Sequence, residues 1–151
     1  MNFFVLLFAT GLGVGFSPVV PGTMGTLLAI PIYYFISSIS SPLYELTLVA
    51  FFFFSSWISN QAEQYWGKKD DRRIVIDEMM GFFITMLWVQ KSLLFLAAGF
   101  VLFRFFDILK PFPIRRIERV KAGYGVVLDD VLAGVYANVV LHLLYLMKQT
   151  Q

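Results

Sequence analysis

Leu102-Phe-Arg-Phe-Phe-Asp-Ile-Leu-Lys-Pro-Phe-Pro-Ile-Arg-Arg116 begins as the end of an apolar segment and finishes as a basic, proline-broken loop. Arg104, Asp107 and Lys110 recur at every third position, so they share one face if the helix persists to Lys110. Pro111 disfavours helical geometry at the residue before it, which predicts the helix end at Lys110. Cations and a carboxylate at the end of a very apolar helix are costly to bury without a purpose. Two readings of the stretch stand: a solvated helix end with a local salt bridge, or part of a phosphate or metal site.

The surrounding composition decides the solvent. Of 151 residues, 58% are apolar and 17 are Phe, and the mean hydropathy is +0.73. Soluble domains are typically about 45–50% apolar. The chain is therefore expected to be one integral membrane domain over residues 1–151. The net charge of +2 comes without a basic run set in polar surface, which argues against nucleic-acid partners. The absence of Cys excludes disulfides, thiolate zinc sites and a cysteine nucleophile. The sole His, His142, lies in an apolar run, which argues against histidine catalysis and excludes a His-rich metal site. Phe3 to Ala9 lacks a preceding basic residue and a small-residue cleavage site, so it is expected in the mature protein.

Breakers divide the chain into apolar segments at Met24–Ile39, Leu43–Ile58, Ile74–Trp88, Leu93–Phe106 and Val126–Met147. The expected fold is all-α: a compact multi-helix membrane bundle with about five membrane segments and a short N-terminal helix. A bundle only partly embedded is the alternative, because several segments are short. Met1–Phe16 reads as a marginal span or an interfacial helix. Thr23 or Thr26 is the expected cap of the helix after the Ser17–Thr23 loop, and Pro31 is an expected kink.

The basic loops around residues 68–73 and 115–121 are assigned to the cytoplasm by their Lys and Arg content. Threading the segments from there brings four polar blocks to one face: Pro21-Gly22-Thr23, Asp77-Glu78, Arg104/Asp107/Lys110 and Asp129-Asp130. Intramembrane ionisable residues are functional candidates by default. Asp77, Glu78, Asp107, Asp129 and Asp130 would repel one another unless protonated or bridged by a cation. An oxygen-only ligand set favours magnesium or manganese. Adjacent helical residues point about 100° apart, so one member of each acidic pair is expected at the metal and the other beside a cation or water. Arg104, Lys110 and Arg115 suit a phosphate group, with backbone donors and a hydroxyl from the Thr23 loop. Metal, cations and an anion at a membrane surface suggest phosphoryl chemistry on a lipid headgroup. The bland alternative is an ion-pair network that holds the helices together.

Four blocks in order resemble the phosphatidylglycerophosphatase A family: Gly11-Leu-Gly-Val-Gly-Phe-Ser-Pro-Val-Val-Pro-Gly-Thr-Met-Gly-Thr26, Ile74-Val-Ile-Asp-Glu-Met-Met-Gly81, Phe103-Arg-Phe-Phe-Asp-Ile-Leu-Lys-Pro-Phe-Pro-Ile114 and Gly123-Tyr-Gly-Val-Val-Leu-Asp-Asp-Val-Leu-Ala-Gly134. The resemblance runs from about residue 11 to about residue 138, with departures at Arg72 and Ala122. It implies an all-helical, magnesium-dependent phosphatase of the bacterial inner membrane, with its site at the cytoplasmic face. The implied reaction converts phosphatidylglycerophosphate to phosphatidylglycerol and phosphate. On this reading Asp77, Glu78, Asp107, Asp129 and Asp130 are the catalytic and metal-binding set, and Thr23, Arg104, Lys110 and Arg115 bind the substrate phosphate. Water is the expected attacking group, with a carboxylate or Thr23 as the alternative. The rival functions are a phosphatase or phosphotransferase on another phospholipid headgroup, and a non-enzymatic membrane bundle. The Asp-Gly-x-x-Ala-Arg signature of CDP-alcohol transferases is absent.

Overall fold

The computed structural model describes residues 2–117 and 123–150. The expectation of a basic loop over 115–121 therefore lies partly outside the described residues, as does Ala122. The described residues form seven α-helices and one 3-10 turn, with no strand among them. The helices are α1 (Phe3–Ala9), α2 (Pro21–Ile36), α3 (Ser41–Trp66), α4 (Ile76–Thr85), α5 (Leu93–Leu109), α6 (Ile114–Ile117) and α7 (Tyr124–Gln149).

The helix ends follow local chemistry. Ser92 caps α5, its hydroxyl accepting the Phe95 N–H at 3.2 Å. Neither Thr23 nor Thr26 caps α2. The cap position is Val20, with a left-handed backbone and no side-chain bond, and Thr26 instead donates to the Gly22 carbonyl within the helix. Pro21 starts the helix, where its missing N–H has no intrahelical partner to lose. Pro31 lies inside α2, which continues to Ile36.

The expectation of about five membrane segments is not supported. Among the described residues, α3 and α7 are long and apolar enough to cross a bilayer. Each has 26 residues and reaches about 39 Å, against a hydrocarbon core of about 30 Å. The 10 residues of α4 reach only about 15 Å. Its sequence imitates a span because protein surrounds it on all sides: Ile76, Met79, Met80, Phe82 and Phe83 are buried, together with Asp77 and Thr85. The segment Met1–Phe16 is likewise no span, since α1 has seven residues and a 3-10 turn follows at Val14–Phe16.

The core is built by laying α4 against α7. A Cβ on Gly134 would sit 2.4 Å from the Gly81 carbonyl oxygen, so only glycine allows this approach of the two backbones. One turn before the crossing lie Asp77 and Asp130, and one turn after it Thr85 and Asn138. The two helices therefore start at the same end of the bundle, and their acidic pairs meet there. Phe103 of α5 is fully buried against the same crossing, its ring within 2.6 Å of where a Gly81 Cβ would stand.

The far end of α4 stops inside the protein, and side chains of three other helices satisfy it. Tyr44 Oη donates to the Phe83 carbonyl at 3.2 Å, and Tyr33 Oη to that of Met86 at 3.5 Å. Asn138 Nδ2 donates to the carbonyls of Thr85 at 2.9 Å and Leu87 at 2.8 Å. Orphan carbonyls in an apolar interior would otherwise cost free energy.

Candidate active site

Four elements bring polar side chains together. The first turn of α4 supplies Asp77 and Glu78, and the second turn of α7 supplies Asp129 and Asp130. The last two turns of α5 supply Arg104 and Asp107, and Lys110 caps the helix. The first turn of α2 supplies Gly22 and Thr23.

Asp77, Glu78 and Asp130 each direct one carboxylate oxygen to a common point, those oxygens lying within 4.8 Å of one another. Asp77 and Asp130 are buried, and Glu78 is nearly so. Three anionic groups so close repel unless protons or a cation intervene. Within each acidic pair, the first carboxylate accepts the backbone N–H of the second at 3.1 Å, Asp77 from Glu78 and Asp129 from Asp130.

The remaining two carboxylates hold cations. Asp129 Oδ2 accepts from Lys110 Nζ at 2.7 Å. Asp107 Oδ2 lies 2.6 Å from Arg104 Nη1, which is also 3.9 Å from Glu78 Oε1. The α7 pair thus divides as expected, with Asp130 at the acidic centre and Asp129 beside a cation. The α4 pair does not divide: both Asp77 and Glu78 turn inward.

The helix end predicted at Lys110 is observed, so a helix face shared by Arg104 and Asp107 does not extend to Lys110. The α5 helix ends at Leu109, and Lys110 takes a left-handed backbone (φ 44°). From there its side chain reaches Asp129 of α7, which gives the proline break a geometric consequence.

Gly22 closes the site from the α2 side. A Cβ there would lie 2.1 Å from Glu78 Oε1 and 3.2 Å from Arg104 Nη1. The Glu78 carboxylate therefore rests against the first turn of α2, where backbone N–H groups lack intrahelical partners and the helix dipole favours negative charge. Thr23 occupies that same turn, half-buried.

Three polar atoms in this region are buried without a hydrogen-bond partner: Glu78 Oε2, Arg104 Nε and Arg104 Nη1. The short Arg104–Asp107 contact is an ion pair that is not directed along an N–H. Buried polar atoms in folded proteins are almost always satisfied, so an orphaned carboxylate oxygen beside orphaned guanidinium donors calls for a ligand. A cation satisfies the first and an oxyanion the second. The acidic centre is oxygen-only, a donor set that suits a hard divalent cation.

Arg115 stands apart from this group. It is exposed in α6 and donates to the Leu109 carbonyl at 3.3 Å. His142 also lies away from it, its Nδ1 2.9 Å from the Asn138 carbonyl oxygen. Sequence reasoning missed the supporting residues Tyr33, Tyr44 and Asn138. The single advance signal was Asn138 placed one turn beyond Gly134 on the Asp130 stripe.

The chain is 42% identical over 148 residues to a protein of Bacteroides thetaiotaomicron named as a putative phosphatidylinositol-3-phosphatase, covering 93% of this chain and 92% of that one. It is 39% identical to phosphatidylglycerophosphatase A of Escherichia coli, covering 90% and 80% of the two chains. It is 37% identical to phosphatidylglycerophosphatase A of Haemophilus influenzae, covering 89% and 84%. No solved structure matches significantly. The family model for phosphatidylglycerophosphatase A matches residues 7–145, a span that contains every side chain of the acidic centre and its cations, and the chain belongs to that family.

Proposed function

We propose that this protein is a membrane phosphatase that removes the terminal phosphate of phosphatidylglycerophosphate at the cytoplasmic face of a bacterial inner membrane. Family membership over residues 7–145 carries the reading. The pairing of an acidic centre with orphaned guanidinium donors supports it. An apolar cavity of about 260 Å³ between α1, α2, α3 and α4, walled in part by Met79, lies on the helix that bears Glu78 and suits a lipid chain.

In this mechanism Asp77, Glu78 and Asp130 would hold a magnesium ion, which would supply positive charge to offset that of the phosphate and to acidify the attacking water. Asp107 and Asp129 orient Arg104 and Lys110, which neutralise the phosphoryl oxygens. The first turn of α2 adds N–H donors and the Thr23 hydroxyl. Water attacks phosphorus in line, the phosphorus–oxygen bond to the glycerol breaks, and the departing oxygen takes a proton. Products are phosphatidylglycerol and inorganic phosphate.

The name of the Bacteroides relative supports a second reading, a phosphoinositide monoester as substrate. Phosphate release by purified protein in neutral mixed micelles decides between them. Phosphatidylglycerophosphate is expected to be cleaved with magnesium and spared with chelator. Faster release from phosphatidylinositol 3-phosphate would favour the second reading. Undiminished release after chelation would remove the metal from the scheme.

A further inference from the structure

A groove of about 350 Å³ runs along the chain segment that leaves the site, walled by Lys110, Pro111, Phe112, Pro113, Arg115 and Arg116. Its inner end is Lys110, ion-paired with Asp129, the residue next to Asp130 of the acidic centre. Its outer end is two guanidinium groups with no carboxylate paired to them among the described residues. Both are held by local contacts. Arg115 Nη2 donates to the Leu109 carbonyl at 3.3 Å, and Arg116 stacks 4.9 Å from the Phe112 ring centre. The turn itself is fixed to α7, since Tyr136 Oη donates to the Phe112 carbonyl at 3.0 Å. A positioned pair of arginines with no acidic partner among the described residues, in a groove that begins at Lys110 of the proposed phosphate site, matches a second anionic phosphate.

The substrates named for the relatives share that chemistry. Phosphatidylglycerophosphate and phosphatidylinositol 3-phosphate each carry a phosphomonoester and, one polyol unit away, a phosphodiester to the diacylglycerol. We infer that the Lys110–Arg116 groove binds the phosphodiester of the same substrate molecule whose phosphomonoester occupies the acidic centre, with Arg115 and Arg116 as its ligands. The inference rests on the proposed phosphatase reading and adds to it a basis for selectivity: a lipid with only a monoester fills one of the two positions. It also moves Arg115 from the transferring phosphate to the one that stays with the product.

Both arginines are exposed, so Arg115→Gln and Arg116→Gln are expected to fold normally. Each is expected to raise KM for phosphatidylglycerophosphate about tenfold, and the double variant about a hundredfold, with kcat nearly unchanged, because the contact is equal in ground and transition states. Glycerophosphoglycerol, a soluble phosphodiester without acyl chains, is expected to inhibit the wild type competitively and the double variant at least tenfold less. Arg115→Lys should recover part of the loss. Unchanged KM and unchanged inhibition in the double variant would overturn the groove assignment. An effect on KM that appears only when other anionic lipid is added would overturn it too, since the groove would then be holding a separate lipid. Equilibrium binding of phosphatidylglycerol in neutral micelles reads the groove without turnover. If the wild type releases no phosphate but binds phosphatidylglycerol through Arg115 and Arg116, the phosphatase reading fails and the groove stands.

Discussion

The two ends of α4 face opposite situations. At its C-terminal end every problem posed by burial is solved: Tyr33, Tyr44 and Asn138 reach in from three helices to satisfy its last carbonyls. At its N-terminal end the problem is left open, with three carboxylates crowded together and Glu78 Oε2, Arg104 Nε and Arg104 Nη1 unsatisfied. The same helix, about 15 Å long, spans both. Folding would favour closing the open end with apolar side chains, since a buried charge network contributes little net stability. The open end holds buried polar atoms that packing leaves without partners, and the satisfied end is the scaffold behind it.

That contrast can be broken by substitution at either end. The largest effect is expected from Asp130→Asn, which removes one member of the acidic centre at nearly constant volume. Phosphate release should fall by about a thousandfold or more, while the protein elutes normally and melts no earlier. Comparable activity would mean that the carboxylates serve packing alone. Gly22→Ala should cost about ten- to a hundredfold in kcat/KM, because its Cβ would displace the Glu78 carboxylate, with little change in Tm. At the other end, Asn138→Leu should leave turnover per folded molecule unaltered but lower stability by about 1–3 kcal/mol, read as Tm in detergent, because two carbonyls lose their donor. A fall in kcat with unchanged Tm would mean that the two ends are not separable.

The smallest effect lies outside both ends, in the loop before α4. Asp71 accepts from Arg73 Nε at 2.7 Å, from Nη2 at 3.0 Å and from the Arg73 backbone N–H at 3.1 Å, and Arg73 stacks 4.1 Å from the Trp66 ring centre. The Arg73 hydrogen bonds hold the Asp71 carboxyl below its ordinary value. A depressed carboxyl contributes stability that is present above the unfolded pKa of about 3.9 and lost as pH falls through the folded value. Asp71→Asn should therefore show a shallower loss of Tm below about pH 4 than the wild type. An equal slope would mean that this loop does not contribute to acid stability.

Threading five membrane segments puts five distant carboxylates on one face. Among the described residues, however, only α3 and α7 are long and apolar enough to cross a bilayer, and it is helix packing that brings the acidic side chains near one another. Threading is blind to which carboxylate takes which partner. Pro111 predicts the helix end at Lys110, and α5 does end at Leu109, so the face a longer helix would share is not formed and left-handed Lys110 pairs with Asp129. The hydropathy of Ile74–Trp88 predicts a span, because hydropathy has no way to tell burial in protein from burial in lipid.

The sequence by itself determined an all-helical, strongly apolar chain of this family and the order of its four polar blocks. Those properties are carried by composition, order and local spacing. Only the tertiary structure decided that α4 is an inner helix, that Asp77, Glu78 and Asp130 converge while Asp107 and Asp129 hold cations, and that Arg115 lines a groove with Lys110 and Arg116. Each of those outcomes depends on a distance between helices far apart in the chain, and such distances are set by how the glycines and side chains of α2, α4, α5 and α7 fit against one another.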